Sequence, residues 1–357
     1  MTLPRIEPRA VMDRLRGSEG NGAAGQGEWA FLDLREAGEA AEGHPFASIN
    51  LPYSRLEARI AALVPRREVP IVLFDAGDGV AERATRRLAS AGWRNLEVVA
   101  GGAPGWAAAG LPLFKGEHSF SKAFGEWVGQ AFTVPEIGPD ALAERMAGEA
   151  PPVLIDGRPW AEHRAFTLPG AVNCPNAELG LRLPGAVRAG QAVVVHCAGR
   201  TRSIIGAQTL RDFGLADRVM ALRGGTQGWE LAGRTREMGA ARAVPAPDAA
   251  AVAAGAARAR AAMARYGVPG VDAVTLRLWV ADAGRTTFLF DPRPEGEGEV
   301  PRGFRPAPGT TLVQQTDRFI GVRGARVVLW DPLLVRAVFA ALWLGRMGME
   351  AHVLMDA

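Results

Sequence analysis

The sequence predicts an α/β protein built from parallel sheets flanked by helices, and two observations carry that expectation. Apolar runs of four or five residues recur without polar alternation, separated by stretches of helical character; strands buried on both faces of a parallel sheet have this pattern, because helices cover both sides. The same succession of strand and helix also repeats along the chain, and such self-similarity fixes an architecture better than any single segment. At 357 residues there is room for two or three compact units.

Each repeat opens with an apolar run ending in Asp-x-Arg: Phe31-Leu32-Asp33-Leu34-Arg35, Leu154-Ile155-Asp156-Gly157-Arg158 and Phe288-Leu289-Phe290-Asp291-Pro292-Arg293. Each reads as a short buried strand running into a polar loop. A second apolar strand follows at Pro70-Ile71-Val72-Leu73-Phe74-Asp75, Ala192-Val193-Val194-Val195-His196-Cys197 and Arg326-Val327-Val328-Leu329-Trp330-Asp331. Helices are expected from Ala81 to Gly92, Ser203 to Gly214 and Leu333 to Gly348, each stopping at a glycine suited to a C-terminal cap. Third strands come at Leu96 to Val99, Val219 to Leu222 and Ala351 to Leu354. In the first two repeats the third strand enters a glycine turn with a tryptophan, Gly101-Gly102-Ala103-Pro104-Gly105-Trp106 and Gly224-Gly225-Thr226-Gln227-Gly228-Trp229. The third repeat stops at Ala357 and lacks that segment. The units are therefore set at 5–118, 134–240 and 270–357, the last partial. The connecting stretches have helical character around Phe120 to Phe132, and Ala249 to Tyr266 is an alanine-rich surface helix.

Composition narrows the function classes. An apolar share of 48% against 22% charged residues is globular, and no apolar run approaches the roughly 18 to 20 residues needed to span a bilayer. No membrane association is expected, and the start, Met1 to Glu7, has no export signal. Two cysteines, Cys174 and Cys197, in unlike local contexts argue against a disulfide framework and for a reducing, cytoplasmic setting. They leave no cysteine-rich metal site, and no cofactor is expected. The net charge of +3 arises from 41 basic and 38 acidic residues that are interspersed, so nucleic acid is not an expected partner. Small anions suit the chain better.

The chemistry concentrates at Cys197-Ala198-Gly199-Arg200-Thr201-Arg202-Ser203. Cys197 sits where a buried strand ends and a helix begins, so loop amides and the first helical turn converge on it and favour its thiolate. Arg200 and Arg202 add positive charge, and Thr201 and Ser203 add hydroxyl donors. The loop is thus expected to hold an anionic substrate against a sulfur nucleophile. Cys174, within Gly170-Ala171-Val172-Asn173-Cys174-Pro175, has no cationic sequence neighbours; it reads as packing in an apolar strand.

The chain resembles the tandem rhodanese sulfurtransferases. The likeness rests on Asp156-Gly157-Arg158, on Pro169-Gly170-Ala171-Val172-Asn173, and on the loop from His196 to Ser203 closed by Gly224-Gly225 and Trp229. It implies that Cys197 takes a sulfane sulfur from a small anionic donor such as thiosulfate, carries it as a persulfide, and passes it to cyanide or a thiol. Ala198 to Ser203 would bind the donor, while Asp156 and Arg158 support the loop, with Arg158 paired to Asp156 or Glu162. In the first repeat Asp75 stands where the cysteine belongs, and in the third Asp331 does. Neither can form a persulfide, which leaves these repeats as scaffolds or as surfaces for a protein partner.

Three other readings compete. Mercaptopyruvate sulfurtransferases resemble Cys-Gly-Ser-Gly-Val-Thr in this loop and carry a further arginine where this chain has Glu162. Dual-specificity phosphatases place five residues between cysteine and arginine, whereas here four separate Cys197 from Arg202 and the next residue is Ser203. A regulatory binding module would use the cysteine only as an oxidant sensor.

Overall fold

The structure, a computed structural model, describes residues 3–17, 27–188 and 190–355. Three five-stranded sheets form, one per repeat. The first contains β1 (Arg5–Ile6), β2 (Ala30–Asp33), β3 (Ile49–Asn50), β4 (Ile71–Phe74) and β5 (Leu96–Val99) in the order β1-β5-β4-β2-β3. The second contains β6 (Glu136–Ile137), β7 (Val153–Asp156), β8 (Val172–Asn173), β9 (Val193–His196) and β10 (Val219–Leu222) in the order β6-β10-β9-β7-β8. The third contains β11 (Gly270–Val271), β12 (Thr287–Asp291), β13 (Arg305–Pro306), β14 (Arg326–Leu329) and β15 (Glu350–Leu354) in the order β11-β15-β14-β12-β13.

All pairings within these sheets are parallel. The central strand is β4, β9 or β14, and every residue of β4 and β9 is buried. Such a strand delivers whatever follows it to the carboxyl edge of the sheet, where ligands of open α/β sheets bind. The residues so delivered are Asp75, Cys197 and, one position further on, Asp331.

The helices after the central strands span Val80–Ser90, Thr201–Asp212 and Val335–Arg346. They stop as the sequence suggests, with Gly92, Gly214 and Gly348 at positive φ just beyond the last turn. Short edge strands such as β1, β3 and β6 were not anticipated: two residues are too few to show a period. Cys174 lies directly after β8 rather than inside a strand. Its amide donates to the Asp156 carbonyl at 3.0 Å.

The connecting helices are integral to the core. Phe124 and Val128 of the helix Ser119–Ala131 are buried against the second unit, and one face of Ala249–Tyr266 is buried through Gly255, Ala259 and Ala262. Val335–Arg346 is buried along nearly its whole length. Its Trp343 Nε1 donates to Thr209 Oγ1 at 3.0 Å, and Arg346 pairs with Asp212 at 2.5 Å, so the third unit is locked onto the helix that follows Cys197. One apolar cluster accordingly runs through all three units. No helix among the described residues is long and apolar enough to cross a membrane.

Candidate functional site

Cys197 is only 2% exposed and directly follows the central strand of the second sheet. The loop then turns through Ala198, Gly199 and Arg200 into the helix Thr201–Asp212. Ser203, in the first turn, points its hydroxyl back at the sulfur, with Oγ 3.2 Å from Cys197 Sγ. The hydroxyl is placed to donate to the sulfur, and the amides that open the helix have no intrahelical acceptor.

A second helix start fixes the loop from below. The amides of Thr226 and Gln227 donate to the carbonyls of Cys197 and Ala198, both at 2.9 Å, and Thr226 Oγ1 reaches the Ala198 carbonyl at 3.3 Å. This approach requires Gly225: its φ is +54°, and a Cβ there would lie 2.3 Å from both the Cys197 and the Gly199 carbonyl oxygens. The glycine pair seen in sequence is therefore a clamp on the cysteine loop.

Behind the loop, Asp156 is a fully buried hub. Its Oδ1 accepts from the Arg158 amide at 3.2 Å and from Nε at 2.9 Å, while Oδ2 accepts from Arg158 Nη2 at 2.8 Å, His163 Nδ1 at 3.0 Å and Thr167 Oγ1 at 2.8 Å. Burial alone would raise the Asp156 pKa, but nearby His196 and the bonds from His163 and Arg158 hold it well below the usual carboxylate range. Arg158 is thus paired to Asp156 and not to Glu162. Next to Cys197 in sequence, His196 is buried and its pKa is pushed down to about 4, chiefly by desolvation and against the pull of Asp156; it is neutral near pH 7. Burial likewise pushes the Cys174 thiol up, and the Glu178 charge adds to it.

The two loop arginines, expected to face an anion, are already ion-paired. Arg202 grips Glu162 at two points, 2.7 and 2.8 Å. Arg200 lies 3.1 Å from Glu126 and 3.0 Å from Glu136. These carboxylates come from three separate elements, which is why a reading confined to the loop missed them. Desolvation would lower the Arg202 pKa, but the Glu162 bonds and the nearby Cys197 sulfur raise it. His163, Thr167 and Thr226 were missed as well. Only Thr226 had a sequence signal, standing directly after the glycine pair. A depression of about 490 Å³ opens over the loop, lined by Lys122, Gly199, Arg200, Gln227 and Leu231.

In the other two units the equivalent cradle is filled by its own side chain. Asp75 accepts from the amides of Gly77 and Ala81, both at 2.9 Å, and Asp331 accepts from those of Leu333 at 3.1 Å and Arg336 at 2.8 Å. A carboxylate thus occupies the amide nest in each.

The rhodanese-like domain model matches residues 19–109 and 138–232. The chain belongs to this family. Its fold superimposes on the crystal structure of thiosulfate sulfurtransferase from Pseudomonas aeruginosa with a TM-score of 0.92 at 40% identity, covering 99% of this chain and 66% of that one. A second relative, the uncharacterised protein YibN of Escherichia coli K12, is 30% identical over 87 residues, which is 24% of this chain and 61% of that protein. The chain therefore spans slightly less than two thirds of the length of either relative. The rhodanese match includes both the loop with Asp75 and the loop with Cys197; the third sheet lies outside it.

Proposed function

We propose that the second unit is a sulfurtransferase that moves a sulfane sulfur through a persulfide on Cys197, with thiosulfate as donor and cyanide or a thiol as acceptor. The observation that carries this reading is the Ser203 hydroxyl 3.2 Å from the Cys197 sulfur on a loop clamped by Gly225. That arrangement supplies a desolvated sulfur nucleophile and a ring of donors for an anion. Likeness to the Pseudomonas thiosulfate sulfurtransferase supports it.

The Cys197 thiolate attacks the outer sulfur of thiosulfate. The S–S bond breaks, sulfite leaves with the electron pair, and the enzyme holds Cys–S–S⁻. Cyanide then attacks the terminal sulfur, forms thiocyanate and restores the thiolate. With Arg200 and Arg202 committed to carboxylates, the loop amides, Ser203 and the helix start form the main anion cradle, and the arginines keep those carboxylates from repelling the donor. A two-point Arg202–Glu162 pair also leaves no free guanidinium fork for a phosphoryl group, which argues against a phosphatase. Asp75 and Asp331, each satisfied by its own loop, make the flanking units scaffolds.

A transfer assay with purified protein tests the proposal, comparing thiosulfate and 3-mercaptopyruvate, each with cyanide and with glutathione. Turnover with thiosulfate is expected; absence of transfer from either donor to either acceptor would overturn it.

A further inference from the structure

A second nucleophile and base stand together in a cavity separate from the depression over Cys197. Where the first and third units meet, a cavity of about 370 Å³ is lined in part by Ala37, Ala41, Ile49, Phe120, His44 and Ser119, within the size range of small-molecule sites. His44 is buried and its ring is fixed at both nitrogens: Nδ1 lies 3.0 Å from the Ala40 carbonyl and Nε2 lies 2.8 Å from Ser119 Oγ. A carbonyl only accepts, so Nδ1 carries the proton, and with Nε2 unprotonated its lone pair is turned toward Ser119. The Ser119 hydroxyl must then donate to Nε2, which is the alignment of a serine nucleophile with its general base.

Local structure adds two features. Ser119 opens a 13-residue helix, Ser119–Ala131, and the Lys122 amide returns to the His118 carbonyl at 3.1 Å; the amides ahead of it in the first turn have no intrahelical acceptor and can stabilise a developing oxyanion. His118 and Ala47, both on the cavity wall, are non-glycine residues held at φ of +53° and +62°, the kind of backbone cost that surrounding structure must sustain. His118 is anchored across the cavity to Asp317 at 2.7 Å.

We propose that Ser119 and His44 form an acyl-transfer site for esters of short acyl groups, for which Ala37, Ala41 and Ile49 leave room on a wall that also carries Arg59, Asp317 and Arg323. Ser119 Oγ attacks the ester carbonyl carbon while its proton passes to His44 Nε2. The carbon–alkoxy bond breaks, and the leaving alcohol takes that proton from His44. Water, giving a proton to His44, then attacks the acyl carbon; the acid departs and the proton returns to Ser119.

The test uses the full chain carrying Cys197→Ser, so that no thiolate at the other site reacts with the probes. A fluorophosphonate probe is expected to leave its adduct on the peptide containing Ser119, and p-nitrophenyl acetate hydrolysis is expected to be lost in Ser119→Ala. His44→Gln should slow labelling by about a hundredfold or more, the usual contribution of a general base. Labelling of the intact dyad decides the matter even if His44→Gln fails to fold. No adduct on Ser119, or ester hydrolysis unchanged in Ser119→Ala, would overturn the assignment.

Discussion

Arg202 and Glu162 meet fork to fork, at 2.7 and 2.8 Å, beside the Cys197 loop. The pair neutralises a carboxylate that would otherwise face an incoming anion, and it leaves the guanidinium near the cysteine sulfur. Removing the arginine therefore does double harm: it deletes a charge near the thiolate and exposes Glu162. Arg202→Ala should lower kcat/KM for thiosulfate about tenfold, equivalent to roughly 1.4 kcal/mol of transition-state stabilisation. Glu162→Gln should raise it a few-fold at low salt, an increase that fades as ionic strength screens the freed charge. Steady-state kinetics of both variants at two salt concentrations decide; a fall in kcat/KM for Glu162→Gln would refute this account of the pair.

The two cysteines should separate cleanly. Cys197→Ser keeps the shape of the site but cannot hold a persulfide, so transfer should vanish while the melting temperature hardly moves. Cys174 is fully buried and its thiol is pushed up by that burial, so Cys174→Ala should leave turnover near wild type. Mass spectrometry after thiosulfate treatment should find the added sulfur on the peptide with Cys197. Sulfur on the Cys174 peptide instead would contradict the assignment.

Gly225→Ala should be among the most damaging single-atom additions to the chain. Its Cβ would overlap two carbonyl oxygens of the cysteine loop at 2.3 Å, on top of a left-handed backbone cost of about 1–2 kcal/mol. Gly233→Ala is the matched control, since φ there is +75° and nothing lies within 4 Å of the added atom. It should cost about 1 kcal/mol and spare activity. Thermal melts and transfer assays on both separate clamp from conformation; equal effects of the two would show that the clamp is irrelevant.

Stability should fall as pH drops from about 6.5 toward about 4. His196 has its folded pKa depressed from 6.5 to about 4 by burial, so in that window the unfolded chain binds a proton that the folded one refuses. The contribution is fully present above 6.5 and is lost on acidification, by roughly 3 kcal/mol at the acid end. His352, also lowered by burial, acts in the same direction. Asp156, with its depressed pKa, loses its contribution only below the ordinary carboxylate value near 3.8. Denaturant unfolding of wild type and His196→Gln between pH 7.5 and 4.5 assigns the share of His196. Parallel pH profiles for the two proteins would count against it.

Much of this molecule was legible before folding because its signals are local. A short unbroken apolar run such as Val193–His196 reads as a buried strand, and the cysteine that follows it inherits its position from that fact. Glycines at the ends of helices and beneath the loop carry a backbone requirement that any reader of the sequence can see. What stayed hidden depends on residues brought together from afar. Glu162 reaches Arg202 across 40 positions and Ser119 reaches His44 across 75. No period or spacing encodes such meetings. The Asp75 and Asp331 loops show a third limit: sequence reveals the missing sulfur, while the amides that each carboxylate accepts appear only in three dimensions.

The helix Val335–Arg346 belongs by sequence to the third repeat and by contact to the second. Trp343 and Arg346 hold the helix that follows Cys197, while Arg336 is ion-paired with Glu178 of the second unit. Cutting the chain between repeats would therefore strip the cysteine domain of one of its walls and leave a greasy scar. An engineer seeking a minimal catalyst, or a genome shuffling its exons, would find the obvious seam to be the wrong place to cut. The repeats are separable as text but not as material.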